Sequence, residues 1–364
     1  MPVSISIYLL KIVILKHLPS NTSLQQNFYP KNNMKNICTN LNLILGLFLF
    51  TSLCTSCSNV DEPCVKKTWY QDADGDGKGN KASSFDACEQ PPGYVSNADD
   101  DNDSVTKPVV SIIPEKGYST PKTYTNLKLA WADEFDGTSL NETFWNYEIG
   151  NGTDGWGNNE LQYYKKENTS VKDGYLIIQA KNESAGNQIY TSSRLTTQNK
   201  FNFKYGRVDI RAALPKGQGI WPALWMLGKN ITTVNWPKCG EIDIMEMIGG
   251  NGTGAGSDKT TYGTVHWDNA GQYAQYGGNT KLTSGTFNDE FHVFSIVWDA
   301  RKIVWYLDDK QFHVIDTTPA GLSEFQEEYF LLVNLAVGGK WPGNPDGTTV
   351  LPQYFVVDYI RVFQ

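Results

Sequence analysis

From about residue 118 to residue 364 the chain is written in short runs where apolar and polar positions alternate, punctuated by Gly, Asn and Asp. That period belongs to half-buried strands rather than helices. Residues 175–180, 206–214 and 330–337 read as three such strands. Residues 292–298, 303–307 and 312–315 are separated by the Asp-rich turns 299–302 and 308–311, and so predict an antiparallel meander. No helical pattern recurs between them. The expectation is an all-β fold, a β-sandwich of two antiparallel sheets with one sheet curved enough to hold a ligand. Trp131, Trp145, Trp298 and Trp305 lie in strand-like surroundings and are assigned to the core.

The run GEIDIMEMIG, residues 240–249, breaks the alternation in an informative way. In a regular strand Glu241 and Asp243 share one face and Ile242 and Ile244 the other. Glu246 would then point among the isoleucines, where a lone carboxylate is costly. One extra residue, a β-bulge near Met245, resets the phase: Glu246 rejoins Glu241 and Asp243, and Met247 joins the apolar face. Three acids on one groove suit glycoside hydrolysis, in which one carboxylate attacks the anomeric carbon while a protonated one delivers a proton to the departing oxygen. Crowding of like charges raises the pKa of one member, which lets Glu246 keep a proton beside ionised Glu241 and Asp243. A metal site or a solvated acidic strand is the alternative for these acids taken alone.

GEIDIME, preceded by WPALWML at 221–227, resembles the E-x-D-x-x-E signature of family 16 glycoside hydrolases, particularly their laminarinase-like β-1,3-glucanases. The resemblance extends through WADEFDG (131–137), WGNNELQYY (156–164), KFNFKYGRVDIRAALP (200–215) and VDYIRVFQ (357–364). It implies a concanavalin-like jelly roll over 121–364, endo-acting hydrolysis of β-1,3-glucan with retention, Glu241 as nucleophile, Glu246 as acid/base and Asp243 as their assistant. It places Trp221, Trp225, Trp236 and His266 near the cleavage point, with Asn158, Arg194, Trp156, Trp267 and Trp341 farther along the groove. No cofactor is expected for catalysis. A structural calcium ion is implied, held by Glu134, the Gly174 carbonyl and Asp358; the phase of Asp358 with Val356, Ile360 and Val362 makes it an inward carboxylate in need of a partner. Mixed-linkage glucanases and marine galactanases of the same family, and non-catalytic carbohydrate-binding proteins of the same architecture, are the alternatives.

Composition narrows the partner. The 364 residues carry a net charge of -8 with no visible Lys/Arg cluster, which excludes a nucleic-acid partner and suits a neutral polysaccharide. Eleven Trp supply platforms for sugar rings. A monomer is expected.

The N-terminus reads as a targeting segment, 1–57. Lys31 and Lys35 precede an apolar run at 41–53, too short for the roughly 20 residues of a membrane span and right for a signal peptide. Met34 sits where such a signal begins, which makes 1–33 an over-extended start. LCTSCSNVDE (53–62) resembles a bacterial lipoprotein signal with Cys57 as the lipidated residue; an ordinary cleaved signal is the alternative. An exported protein, anchored by lipid to the outer membrane or cell surface or else secreted, is the expectation. In that oxidising compartment Cys64 pairs with Cys88 and Cys239 stays free. Residues 58–120 hold few large apolar residues and two acidic clusters. Asp72, Asp74 and Asp76 before Gly77 resemble the start of a calcium loop, although Ser83 stands where an EF-hand needs Glu. A solvated acidic spacer is the alternative.

Overall fold

The computed structural model describes residues 65–72, 77–91, 93–100, 112–252 and 256–364. The expectations for the targeting segment and Cys57, for Cys64, and for Asp74 and Asp76 lie outside the described residues. Cys88 is disulfide-bonded. Within the acidic region three strands, β1 (Lys67–Gln71), β2 (Asn80–Ala87) and β3 (Tyr94–Val95), form a small sheet in the order β2-β1-β3. None of its residues belongs to a buried hydrophobic cluster. Asp72 turns inward on its own loop and accepts the Gly77 N–H.

The remaining strands follow in chain order as β4 (Leu129–Asp133), β5 (Asn146–Glu148), β6 (Gln162–Tyr164), β7 (Thr169–Lys172), β8 (Tyr175–Ala185), β9 (Gln188–Ser192), β10 (Arg194–Thr196), β11 (Gly206–Ala213), β12 (Ile220–Gly228), β13 (Glu241–Glu246), β14 (Thr260–Asn269), β15 (Gln272–Lys281), β16 (His292–Trp298), β17 (Lys302–Leu307), β18 (Lys310–Asp316), β19 (Tyr329–Val337) and β20 (Gln353–Phe363). One sheet has seven strands in the order β15-β14-β13-β12-β19-β10-β5. The other runs β18-β17-β16-β11-β20-β8-β9-β6, with β4 on β20 and β7 on β8. The two-sheet sandwich and the β16-β17-β18 meander expected from the alternation are both present. Trp131, Trp145, Trp298 and Trp305 all sit in the core between the sheets. The chain joins the sandwich somewhat before residue 121: Ile113 packs on a small apolar cluster with Phe291, and Tyr359 donates or accepts at Thr120.

The inward reading of Asp358 is wrong, and the reason is a second bulge. Arg211 pairs with Tyr359 but its neighbour Ala212 pairs with Val357, which leaves Asp358 as the extra residue of β20. Val357, Ile360 and Val362 therefore enter the main core, whereas Val356 joins the outer cluster. Asp358 faces Arg211, and Glu134 receives a two-pronged bond from Arg361 at 2.6 and 2.8 Å. That guanidinium holds the Glu134 carboxyl below its usual range. Gly174 lies in the turn between β7 and β8. Both carboxylates thus have a guanidinium beside them.

Two glycines set how closely the sheets approach under the seven-stranded sheet's free end. Gly263 on β14 pairs with Gly278 on β15. A Cβ at Gly263 would stand 2.4 Å from Trp305 Cδ1, and one at Gly278 2.6 Å from His313 Nδ1. Trp305 in turn donates to the Asp243 carbonyl at 2.8 Å, so this close approach also fixes the middle of β13. Gly263→Ala is expected to lower the unfolding free energy by about 1–3 kcal/mol through overpacking against an immobile ring. Urea unfolding checks it; an unchanged midpoint contradicts the stated fit.

Candidate functional site

The chemistry is concentrated on β13, where the register shows the required irregularity. Trp225 pairs with Asp243 and Leu224 with Met245, so Ile244 is the additional residue. Ile242, Ile244, Met245 and Met247 all enter the core. Two consecutive core residues, Ile244 and Met245, are what a bulge allows and a regular strand forbids. Their burial rotates Glu246 back onto the face of Glu241 and Asp243, and all three line one groove.

Cross-strand register builds the groove floor in rows. Gln275, His266, Glu241 and Leu227 lie side by side, then Gly277, Thr264, Asp243 and Trp225. The third row runs Asn279, Tyr262, Glu246, Ala223, Asn334, Arg194 and Glu148 across seven strands. The cavity over these rows measures about 820 Å³.

Each acid has its own set of neighbours. Trp236 Nε1 donates to Glu241 Oε2 at 2.8 Å, and Trp221 Nε1 to Glu246 Oε1 at 3.1 Å. His266 Nε2 is 2.9 Å from Asp243 Oδ2 and 3.9 Å from Glu241 Oε1. Asp243 is 2% exposed, and its Oδ2 has this charge contact but no conventional hydrogen bond. Glu241, Asp243 and His266 offer donor atoms within 4.8 Å of one another, and the ring and the Asp243 carboxyl touch directly.

Burial raises all three carboxyls. Asp243 is pushed up to about 7. Glu241 is pushed up to about 8, first by burial and then by the charge of Asp243, while His266 and the Trp236 N–H pull it down. Glu246 is raised well above its ordinary value, by burial and then by the charges of Asp243 and Glu241. Three negative forms side by side in one buried groove do not coexist cheaply. The charges of both Asp243 and Glu241 add to burial in raising Glu246.

Eight of the nine residues assigned to sugar binding line this groove: Trp156, Asn158, Arg194, Trp221, Trp225, Trp236, His266 and Trp341. Arg194 is ion-paired with Glu148 and its guanidinium lies 4.4 Å from the Trp156 ring centre and 4.9 Å from that of Trp225. Trp225 donates to Asn334 Oδ1 at 2.7 Å, and Asn334 to Tyr164 OH, whose proton goes to buried Glu160. Trp341 meets Trp221 and Tyr262 edge to face. The ninth, Trp267, is a correction. It follows His266 on a regularly alternating strand, so it turns to the core side and packs on Phe325.

The groove also holds Tyr262, Tyr273, Gln275, Asn279 and Asn334, which the sequence reading did not single out. Tyr262 was within reach, since it shares the phase of His266 in TYGTVHW. Asn334 was too, as the lone amide in the apolar run YFLLVNLAV. The β15 residues gave no signal, because that edge strand has no apolar face to reveal its phase.

The raised carboxyls have a consequence for stability. A carboxyl whose pKa rises on folding binds more protons in the native than in the unfolded chain between the two values, so its contribution is fully present below the unfolded value and lost as pH rises through the folded one. Glu246→Gln removes that loss. Its melting temperature is expected to exceed that of the wild type by about 2–4 °C at pH 8, roughly 1 kcal/mol, with the gap closing near pH 4. A gap independent of pH contradicts the raised Glu246 carboxyl.

The model of family 16 glycosyl hydrolases matches residues 156–360, and that of the SKN1/KRE6/Sbg1 β-glucan synthesis-associated proteins matches 65–235. The chain is 38% identical over 294 residues to glucan endo-1,3-β-glucosidase A1 of Niallia circulans, covering 72% of this chain and 42% of that one. It is 38% identical over 253 residues to the β-glucanase of Rhodothermus marinus, covering 65% and 85%. The chain thus spans less than half the length of the first relative and most of the second. The laminarinase catalytic domain of Thermotoga maritima superposes with a TM-score of 0.60 at 45% identity, covering 66% of this chain and 99% of that domain. By its matched segment, its sandwich and its bulged acidic strand, the chain belongs to glycoside hydrolase family 16.

Proposed function

We propose that this chain is a retaining endo-hydrolase of β-1,3-glucan, with Glu241 as nucleophile and Glu246 as general acid/base. The observation that carries the proposal is the bulged β13, which turns Glu241, Asp243 and Glu246 onto one groove face and gives them unequal neighbours. In the first step Glu241 attacks the anomeric carbon while Glu246 passes its proton to the departing glycosidic oxygen. Esterification removes the charge of Glu241, which lets the pKa of Glu246 fall; Glu246, now a carboxylate, takes a proton from the incoming water, whose oxygen attacks the anomeric carbon and releases Glu241 in the second step. Asp243, in contact with His266 Nε2, tunes the proton balance between them.

The choice of β-1,3-glucan rests on relatives named for that linkage or for laminarin. Endo action is supported by the groove, which crosses the sheet from Asn279 on β15 to Arg194 on β10 and offers aromatic rings on both sides of the acids. A polymeric substrate fits the exported, lipid-anchored location expected from the N-terminal segment, since such polymers meet a cell from outside.

Purified protein is expected to release reducing ends from laminarin faster than from lichenan, and none from agarose. Glu241→Ser should retain laminari-oligosaccharide binding by calorimetry and lose turnover by on the order of 10³-fold or more. Turnover near the wild-type rate in that variant removes Glu241 from the nucleophile role, and equal action on agarose overturns the substrate.

A further inference from the structure

Beside the three carboxyls a line of side chains runs from β13 to the edge strand. Tyr273 and Gln275 lie two residues apart on β15, and the Tyr273 hydroxyl donates to Gln275 Oε1 at 2.6 Å. The same hydroxyl oxygen is 2.8 Å from His266 Nδ1. On the far side of the ring, His266 Nε2 meets Asp243 Oδ2 at 2.9 Å. The Tyr273 and His266 rings stack, centres 5.8 Å apart and planes 15° from parallel, and Trp236 packs on Tyr273 at 5.2 Å.

A hydroxyl has one proton to give. With that proton on Gln275, the Tyr273 oxygen faces His266 as an acceptor, which favours the tautomer protonated on Nδ1. A neutral ring protonated there turns a bare Nε2 towards the Asp243 carboxyl, and two bare acceptors at 2.9 Å repel. The contact is attractive only with one further proton between them, as imidazolium facing carboxylate or as neutral ring facing carboxylic acid. In either form the pair is electrically neutral. Without the Tyr273 acceptor, His266 would carry its proton on Nε2, serve an ionised Asp243, and leave the pair with a charge of minus one.

We propose that Tyr273 and Gln275 are positioning residues that hold a proton on His266 Nδ1 and so oblige the His266–Asp243 pair to carry a second proton, taking one negative charge away from Glu241. The catalytic consequence rests on the proposed glycosidase reading: with its neighbour neutral, Glu241 ionises at a pH where Glu246 is still an acid. The groups that face His266 are Glu241, Asp243 and Glu246 from β13, Tyr273 from β15 and Trp236 from the loop before β13. Among the described residues none of the ion pairs of these carboxylates is with lysine or arginine.

Tyr273→Phe keeps the ring stack and removes the hydroxyl, and Gln275→Leu frees the Tyr273 proton to turn towards Nδ1. Nitrogen-15 NMR of the folded, histidine-labelled protein near neutral pH should find His266 protonated on Nδ1 in the wild type, and in the neutral Nε2–H form in both variants. Gln275→Glu, which keeps an acceptor for Tyr273, should retain the wild-type form. In Tyr273→Phe and Gln275→Leu the acid limb of the kcat/KM profile on laminarin should move up by about one pH unit, the effect of an added charge beside Glu241. A neutral Nε2–H His266 in the wild type, or variants that lose kcat with an unmoved acid limb, would overturn the proposal. The NMR readout needs no turnover, so inactivity on glucan would refute the proposed function without bearing on the His266 proton.

Discussion

Everything at the groove depends on Ile244 and Met245 entering the core as consecutive residues. A strand buries every second side chain, and two in succession require the backbone to gain a residue relative to its neighbours. Both flanking strands accommodate this: β12 steps from Met245 to Asp243 between adjacent residues, and β14 shifts between Asp243 and Glu246. The irregular segment is held from below, where Trp305 on the opposite sheet bonds the Asp243 carbonyl, and from the side, where Thr261 bonds the Glu246 carbonyl. Apolar burial therefore aims the acids. The hydrophobic core needs Ile244, Met245 and Met247 inside, and Glu246 faces the groove as a result.

Such an arrangement costs stability at the place where chemistry is done. Three carboxyls on one short strand, with one imidazole beside them, are held at raised pKa values that favour their neutral forms. The cost is offset by donors placed on individual oxygens, Trp236 on Glu241 and Trp221 on Glu246, and by the contact of His266 with Asp243. These unequal neighbours distinguish the three acids from one another. Two buried charges elsewhere do have counterions: Arg361 pairs with Glu134, and the Asp209 carboxylate receives Arg207, Tyr124 and Ser295.

How much of this was legible in the sequence followed from where periodicity has a buried face to report on. The β13 bulge could be read because Ile242, Ile244 and Met247 fix an apolar phase against which Glu246 is out of step. The meander was legible for the same reason. Asp358 was misread although its strand also bulges, because the valines around it are buried on both faces of β20 and conceal the change of phase. Trp267 was misplaced because the ring type was weighed above its position beside His266. Tyr273 and Gln275 lie on an exposed edge strand with no apolar phase, and their role arises only from register against His266. That Arg361 and Arg211 reach Glu134 and Asp358 was equally hidden, because these partners are set by register and not by sequence spacing.

The division of labour on β13 is tested most directly by trapping the first half of the reaction. An activated 2-deoxy-2-fluoro β-laminaribioside slows breakdown of a glycosyl-enzyme, and peptide mapping by mass spectrometry locates the sugar. A single glycosyl group on Glu241 is the result required by a bulge that sets Glu241 to attack and Glu246 to protonate. Label on Glu246, or turnover without any covalent intermediate and with inversion at the anomeric carbon, would contradict it.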